Sequence, residues 1–339
     1  RALASGGQLL AMRAGVWKPR TRPGHFEGRG EKALEWLQEA RRETGLRMAV
    51  EVATPYHIEK CMEYGIDMLW IGARTSVNPF SVQEIAAALK GTSLSVLVKN
   101  PVNPDVDLWM GVIERIQQAG IREIAAVHRG FSTMHAGVYR NLPLWEIPVE
   151  LRRRMPSLPM LCDPSHISGS PEFLLSVSQH ALDLNMQGLM IEVHIDPASA
   201  LSDARQQITP EGLMQLLKKL IVRQSDPRAA DVCQQLEKLR SQIDDIDQHI
   251  LELLSRRMKT TEKIGHLKKE NQLTILQLKR WTRLVQDRLN QGEKLELDSE
   301  FLKKLLELVH QESIRLQQQI MAAGSYKPAS EDKDAARSY

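Results

Sequence analysis

Proline divides this 339-residue chain more sharply than any other residue: sixteen are present, yet none lies between Arg228 and Lys327. Proline removes a backbone donor and clashes with the preceding helical turn. So long a stretch without it can hold long helices, whereas the proline-punctuated remainder must be built from short elements.

Upstream of the divide, the apolar runs 9–17, 48–52, 68–72, 94–99, 123–127, 160–162 and 188–193 read as strands. The intervening segments 31–44, 82–89, 108–119, 171–184 and 210–221 carry helical periodicity. Such alternation predicts a parallel sheet, because each crossover between parallel strands needs a helix. A doubly wound sheet and a closed barrel both satisfy it. Residues 1–6 read as the tail of a helix whose own strand would lie upstream. With seven strands counted, this fits an α/β chain of the TIM type, a (β/α)8 barrel whose first strand is absent.

From Val232 the pattern changes. Leu236, Leu239, Ile243, Ile246, Ile250, Leu253 and Leu254 recur at spacings of three and four, which predicts a buried helical stripe. Polar breaks at 270–274 and 291–298 divide this part into three helices, an all-α domain. The first helix, about 45–55 Å long at 1.5 Å per residue, exceeds the core of so small a bundle. A partner chain is therefore expected to cover the rest of its stripe, giving a homodimer through the helical domain. The expected organisation is a barrel over 1–223, a linker at 224–231, a helical domain over 232–321 and a loose polar tail at 322–339.

Forty-five Lys and Arg against 42 Asp and Glu leave a net charge of only +3, too weak to predict a nucleic-acid or membrane-surface partner. Cys61, Cys162 and Cys233 are odd in number and outside any CxxC spacing, which argues against disulfides and a zinc ribbon. No apolar run reaches membrane-span length, and residues 1–15 lack signal-peptide order. A soluble, cytoplasmic protein is expected.

Charged residues gather after the strand ends, where (β/α) barrels build their active sites. Lys18 and Arg20 follow the first run, Arg74 the third and Arg129 the fifth, while Lys99 closes the fourth. Asp163 and His166 follow the sixth, and Glu192 and His194 end the seventh. Converging cations would suit small phosphates and carboxylates, whose oxygens Arg matches in bidentate fashion. Taken singly, each such residue reads more simply as a solvated loop charge. His166, Glu192 and Asp203 supply an imidazole and two carboxylates, a donor mixture for a divalent metal of the manganese, iron, cobalt or zinc class.

Five ordered motifs carry a resemblance: Lys18-Pro19-Arg20-Thr21, Ile71-Gly72-Ala73-Arg74, Asp163-Pro164-Ser165-His166, Glu192-Val193-His194 and Ala200-Leu201-Ser202-Asp203. Together they resemble 3-deoxy-D-arabino-heptulosonate 7-phosphate (DAHP) synthase, the first enzyme of aromatic biosynthesis. The resemblance implies that Arg13, Lys18, Arg74, Lys99 and Arg129 hold phosphoenolpyruvate. It also implies that Arg20, Thr21 and Asp163 hold erythrose 4-phosphate, and that His166, Glu192 and Asp203 ligate the metal. Lys18 would donate a proton to the new hydroxyl. The family draws a further cysteine ligand from its first strand; Cys162 belongs to a different motif and is not assigned that role. The related synthase that uses arabinose 5-phosphate carries Lys-Ala-Asn-Arg where this chain has Lys18-Pro19-Arg20-Thr21.

Residues 236–319 resemble all-helical chorismate mutase, with Arg240, Arg257, Lys268, Arg280, Ser313 and Gln317 in register. By this likeness all six bind chorismate, Lys268 and Gln317 acting catalytically on its ether oxygen. Helix geometry agrees, since Arg257 and Lys268, eleven apart, share one face about 16 Å apart, whereas Arg240 turns about 100° away, towards a partner chain's site. Where that family places acidic groups for the substrate hydroxyl, this chain has Gln277 and Trp281. The helical domain is thus expected to be a mutase or, alternatively, a dimerising module that binds chorismate or prephenate and regulates the barrel.

Overall fold

The computed structural model describes residues 9–18, 20, 23–132, 137–223 and 230–322. The expected helix tail at 1–6, Thr21, most of the linker and nearly all of the tail lie outside the described residues. The chain divides into two compact units, residues 1–226 and 227–339.

In the first unit, β1 (Ala11–Ala14), β2 (Arg47–Val52), β3 (Met68–Ile71), β4 (Ser95–Lys99), β5 (Ile124–His128), β6 (Met160–Cys162) and β7 (Gly188–Leu189) pair in sequence order, every neighbour parallel. Between them run α1 (Glu31–Thr44), α2 (Pro55–Glu63), α3 (Pro79–Leu89), α4 (Val106–Gln118), α5 (Glu146–Arg154), α6 (Pro164–Ser168) and α7 (Leu174–Asp183), with α8 (Pro210–Lys219) after β7. Four helices start on one local device. Thr54, Asn78, Asp163 and Thr209 are each followed by proline at the first helical position, and each side chain accepts a hydrogen bond from the first turn. Much of the upstream proline therefore starts helices.

The sheet is a curled, TIM-like partial barrel. Its outer face packs on the helices through Val50, Leu69, Ile71, Val98, Ile113, Ile116 and other fully buried side chains. Trp109 also donates from Nε1 to the Val98 carbonyl at 3.2 Å. Its inner face carries a separate cluster of Ala49, Met68, Trp70, Leu97 and Val127, with Ala11, Leu161 and Met190 packed against it. Arg13 Nη1 lies 3.5 Å from Met190 Sδ, so the curl brings the two ends of the strand order within side-chain reach.

The seventh strand is shorter than its apolar run predicts. Met190 still donates to the Cys162 carbonyl at 2.7 Å, but beyond it the chain leaves the ladder: Ser165 Oγ accepts the Glu192 N–H at 2.9 Å, while Val193 bridges to Ile208. Among the described residues, no helix is long and apolar enough to cross a membrane.

The second unit holds three helices, α9 (Ala230–Glu270), α10 (Leu278–Lys294) and α11 (Ser299–Ala322). At 41 residues, α9 is about 60 Å long. It packs on α11 at Gly265, where a Cβ would come within 2.7 Å of Ile320 Cδ1 and 3.3 Å of Gln317 Cγ. The stripe of Leu236, Leu239, Ile243, Ile246, Ile250 and Leu253 is exposed in the single chain, because α10 and α11 do not cover it.

Candidate active site

Strand geometry builds the mouth of the first unit. Side chains two apart on a strand share a face, and on the inner face an apolar residue is followed two positions on by a charged or polar one. The pairs are Ala11 and Arg13, Ala49 and Glu51, Leu97 and Lys99, Val127 and Arg129, Leu161 and Asp163, and Met190 and Glu192. The apolar members form the inner cluster, and the charged members form the layer above it, at the C-terminal strand ends.

Lys99 Nζ donates to Asp163 Oδ2 at 2.7 Å with both side chains buried. Burial pushes the Lys99 ammonium down, and Arg13 adds to that, while Asp163 opposes it. Against its own burial, His166, Lys99 and Arg13 hold the Asp163 carboxyl well below the usual carboxylate range. Arg13 Nη2 donates to Glu192 Oε1 at 2.5 Å and Nη1 lies 3.9 Å from Asp163. Burial pushes the Arg129 guanidinium down to about 10. Asn141 Oδ1 accepts from Arg129 Nη1 at 2.9 Å, and Asn100 Oδ1 accepts from its backbone N–H at 2.7 Å.

Lys18 Nζ donates to Ser202 Oγ at 2.7 Å and lies 3.6 Å from Asp203 Oδ2. Arg20 donates to the Phe26 carbonyl and stands 3.7 Å from Asp203. Asp203 sits at φ 53°, a left-handed conformation that Asp tolerates better than most side chains. Burial works against its charge, but the hydrogen bond from Arg140 and the charge of Lys18 bring its pKa down to about 2. Arg74 is exposed and close enough to Arg129 to depress its pKa. His194 turns away into its own loop, its Nδ1 accepting the Asp196 N–H at 3.1 Å.

The sequence reading missed several members of this layer. Burial pushes the Glu51 carboxyl up, opposed by Lys99 and Arg13, and Glu51 lies so close to Gly72 that a Cβ there would collide with it. Its signal was available, as the one acid in an otherwise apolar run. Arg140 donates to Asp203 at 3.1 Å and to Gln206, while Gln206 donates to Glu192 Oε2 at 2.6 Å. Arg140, Ser168, Ser170, Asp203 and Gln206 help line a cavity of about 630 Å³.

In kind, His166, Glu192 and Asp203 suit a divalent ion, since burial keeps the imidazole neutral and both carboxylates are held ionised. In placement they do not make a shell. Cations occupy both carboxylates, His166 Nδ1 faces Asp163 Oδ2 at 2.9 Å, and among the described residues no three His, Cys, Asp or Glu side chains are grouped to share an ion.

In the second unit, Arg257 donates to Ser313 Oγ at 2.6 Å and Lys268 to the Ile275 carbonyl at 2.5 Å. Gln317 is buried, its Nε2 donating to the Ser313 carbonyl at 3.2 Å and its Oε1 lacking a hydrogen-bond partner. Burial, with Arg280 adding, pushes the Lys268 ammonium down. Arg257, Lys268, Arg280, Ser313 and Gln317 thus lie around one region between the helices. Arg240 does not join them, being exposed and paired with Glu237 on its own helix at 2.5 Å.

A curled parallel partial barrel with a mouth of paired cations and carboxylates can accommodate small anionic ligands, and it is joined in sequence to a helical unit in which Arg257 and Lys268 lie near Ser313 and Gln317. Residues 2–242 match the DAHP synthetase I family, and the chain belongs to that family. Residues 239–318 match the chorismate mutase type II family. The chain is 32% identical over 215 residues to the phospho-2-dehydro-3-deoxyheptonate aldolase of Thermotoga maritima, covering 62% of this chain and 62% of that protein. The crystal structure of DAHP synthase from that organism superposes with a TM-score of 0.57 at 30% identity, over 64% of this chain and 61% of that one. A 2-dehydro-3-deoxyphosphooctonate aldolase of Wolinella succinogenes is 24% identical over 214 residues, 58% of this chain and 79% of that protein. This chain therefore spans about three fifths of the length of its Thermotoga relative. Enzymes of the DAHP synthase family are generally metal-dependent.

Proposed function

We propose that the first unit condenses phosphoenolpyruvate with erythrose 4-phosphate to DAHP, and that the second rearranges chorismate to prephenate. The observation that carries the first part is the charged layer above the inner apolar cluster. Arg13, Lys18, Arg74, Lys99 and Arg129 would hold the phosphate and carboxylate of phosphoenolpyruvate, with Arg20, Thr21 and Asp163 on the sugar phosphate. Aligning two anions that otherwise repel is the main demand of this reaction, and a layer of cations meets it. Carbon 3 of phosphoenolpyruvate adds to the aldehyde while water attacks carbon 2, and the resulting carbon 2 hemiketal phosphate loses inorganic phosphate and the water-derived protons to leave the ketone of DAHP. Lys18, whose Nζ is held by Ser202, would deliver a proton to the new hydroxyl oxygen.

His166, Glu192 and Asp203 would hold a divalent ion of the manganese, iron, cobalt or zinc class once Arg13, Lys18 and Arg140 release the two carboxylates. The protein is proposed to be cytoplasmic, to act on small molecules without nucleic-acid or membrane partners, and to dimerise through the exposed stripe of α9.

Rearrangement of chorismate is intramolecular and needs no nucleophile or base. It needs the compact conformer held and charge on the ether oxygen stabilised. Arg257 and Arg280 would take the carboxylates, with Ser313 beside Arg257 and Arg240 supplied from a second copy. Lys268 and the Gln317 amide would act on the ether oxygen. A second reading, binding without turnover, is favoured by Trp281, which brings no acid into this region.

Phosphoenolpyruvate consumption with erythrose 4-phosphate but not arabinose 5-phosphate tests the first activity, and equal use of both sugars would sink it. Loss of chorismate absorbance tests the second. Binding without loss would leave the helical unit a sensor.

A further inference from the structure

Chorismate carries two carboxylates, an ether oxygen and one ring hydroxyl, and the hydroxyl is the group that must donate a hydrogen bond. Arg257, Lys268 and Arg280 carry donors only, so they serve the anionic groups and leave the hydroxyl hydrogen without an acceptor. Two buried polar atoms in this region lack hydrogen-bond partners, Gln317 Oε1 and His310 Nε2. Both residues lie on α11. Seven apart, they are offset by only about 20° and about 10 Å along the axis, so they face the same side with Ser313 between them.

His310 is held by geometry. Its ring stacks on Trp281 of α10 with centroids 3.7 Å apart and planes 10° from parallel, which sets the plane in which Nε2 lies. Burial holds its imidazole neutral, and the charges of Arg257 and Lys268 act in the same sense, placing both cations near it. A neutral imidazole keeps one nitrogen as an acceptor. Gln317, by contrast, already spends an amide hydrogen on the Ser313 carbonyl and has its role at the ether oxygen.

We infer that His310 is the specificity residue for the ring hydroxyl: Nε2 accepts the hydroxyl hydrogen, and Trp281 sets the imidazole plane. This rests on the reading that the helical unit binds chorismate. Because Nε2 is already buried without a partner in the free chain, the ring hydroxyl gains this hydrogen bond without displacing another, and a ligand lacking the hydroxyl forfeits that gain.

The test uses the full chain and compares chorismate with its analogue lacking the ring hydroxyl, by calorimetric affinity and by steady-state kinetics. The wild type should prefer chorismate by about tenfold. His310→Ala should bring that ratio close to one by weakening chorismate alone, with the loss falling on KM more than on kcat. His310→Gln, which keeps an acceptor, should restore part of it, and circular dichroism checks that each variant folds. An alanine variant that retains the wild-type ratio overturns the assignment while leaving chorismate binding intact. A wild type that binds neither compound overturns both.

Discussion

The Lys99 ammonium lies 2.7 Å from the Asp163 carboxylate, with the two side chains only 6% and 0% exposed. Removing one member of such a pair leaves a buried charge without its partner, which costs about 3 to 5 kcal/mol. Asp163→Asn should therefore lower the urea midpoint of the barrel clearly, and Lys99→Met combined with Asp163→Asn should recover much of the loss. Additive losses in the double variant would show that the two groups act independently.

His128 should make the barrel sensitive to acid. It is fully buried at the end of β5, edge-on to Trp145 at 5.0 Å. Unfolded, an imidazole protonates near pH 6.5; here burial pushes its pKa down to about 3. The stability gained by keeping it neutral is complete above pH 6.5 and lost as the pH falls from there towards 3, at up to about 1.4 kcal/mol per pH unit. Urea midpoints at pH 7 and pH 5 should converge in His128→Phe, and an unchanged gap would contradict this.

Gly265 sets the approach of α9 to α11. Alanine ordinarily favours a helix over glycine by about 1 kcal/mol, but here its methyl would press on Ile320 and Gln317. Gly265→Val should cost about 1 to 3 kcal/mol through overpacking, lowering the thermal transition of the helical unit. A gain in stability would mean that the helices shift apart freely.

Arg129 is the cation whose fork is most deliberately aimed, by Asn141 and by the Asn100 clamp on its backbone. Arg129→Lys keeps the charge but loses the planar fork. The affinity for phosphoenolpyruvate, followed by tryptophan fluorescence, should fall by about tenfold. An unaltered affinity would remove Arg129 from the site.

Manganese binding, followed by the electron paramagnetic resonance of the free ion, should weaken at least about tenfold in His166→Ala and in Glu192→Gln, as expected when a ligand or its support is lost. Affinity unaffected by either change would move the ion elsewhere.

Much of this fold is legible from periodicity. The spacing of 31–44 gives α1 to the residue, and all seven strands fall on the expected apolar runs. The misses have local causes. The nine-residue helices α2 and α5 are too short for their patterns to stand out, although Thr54-Pro55 marks where α2 begins. The seventh strand ends early because a side chain, Ser165, takes an amide that the ladder would have used. In the site, the charged strand ends were legible, and so was Glu51 as the lone acid of its run, but the alternation that aims them inward needed each strand's register. Arg140, Asn141 and Gln206 depend on how loops fold back, and no spacing announces them. How His166, Glu192 and Asp203 are engaged was not legible either, because their carboxylates pair with Arg13, Lys18 and Arg140, which come from distant parts of the sequence.

Arg13 belongs to β1 yet reaches Glu192 just beyond β7, so a side chain spans a gap that, among the described residues, no backbone pairing crosses. The mouth is therefore also a clasp. Any anion that wins the Arg13 guanidinium must either slacken the curl or serve as the rung between its two ends, and ligand occupancy and barrel curvature become a single mechanical variable.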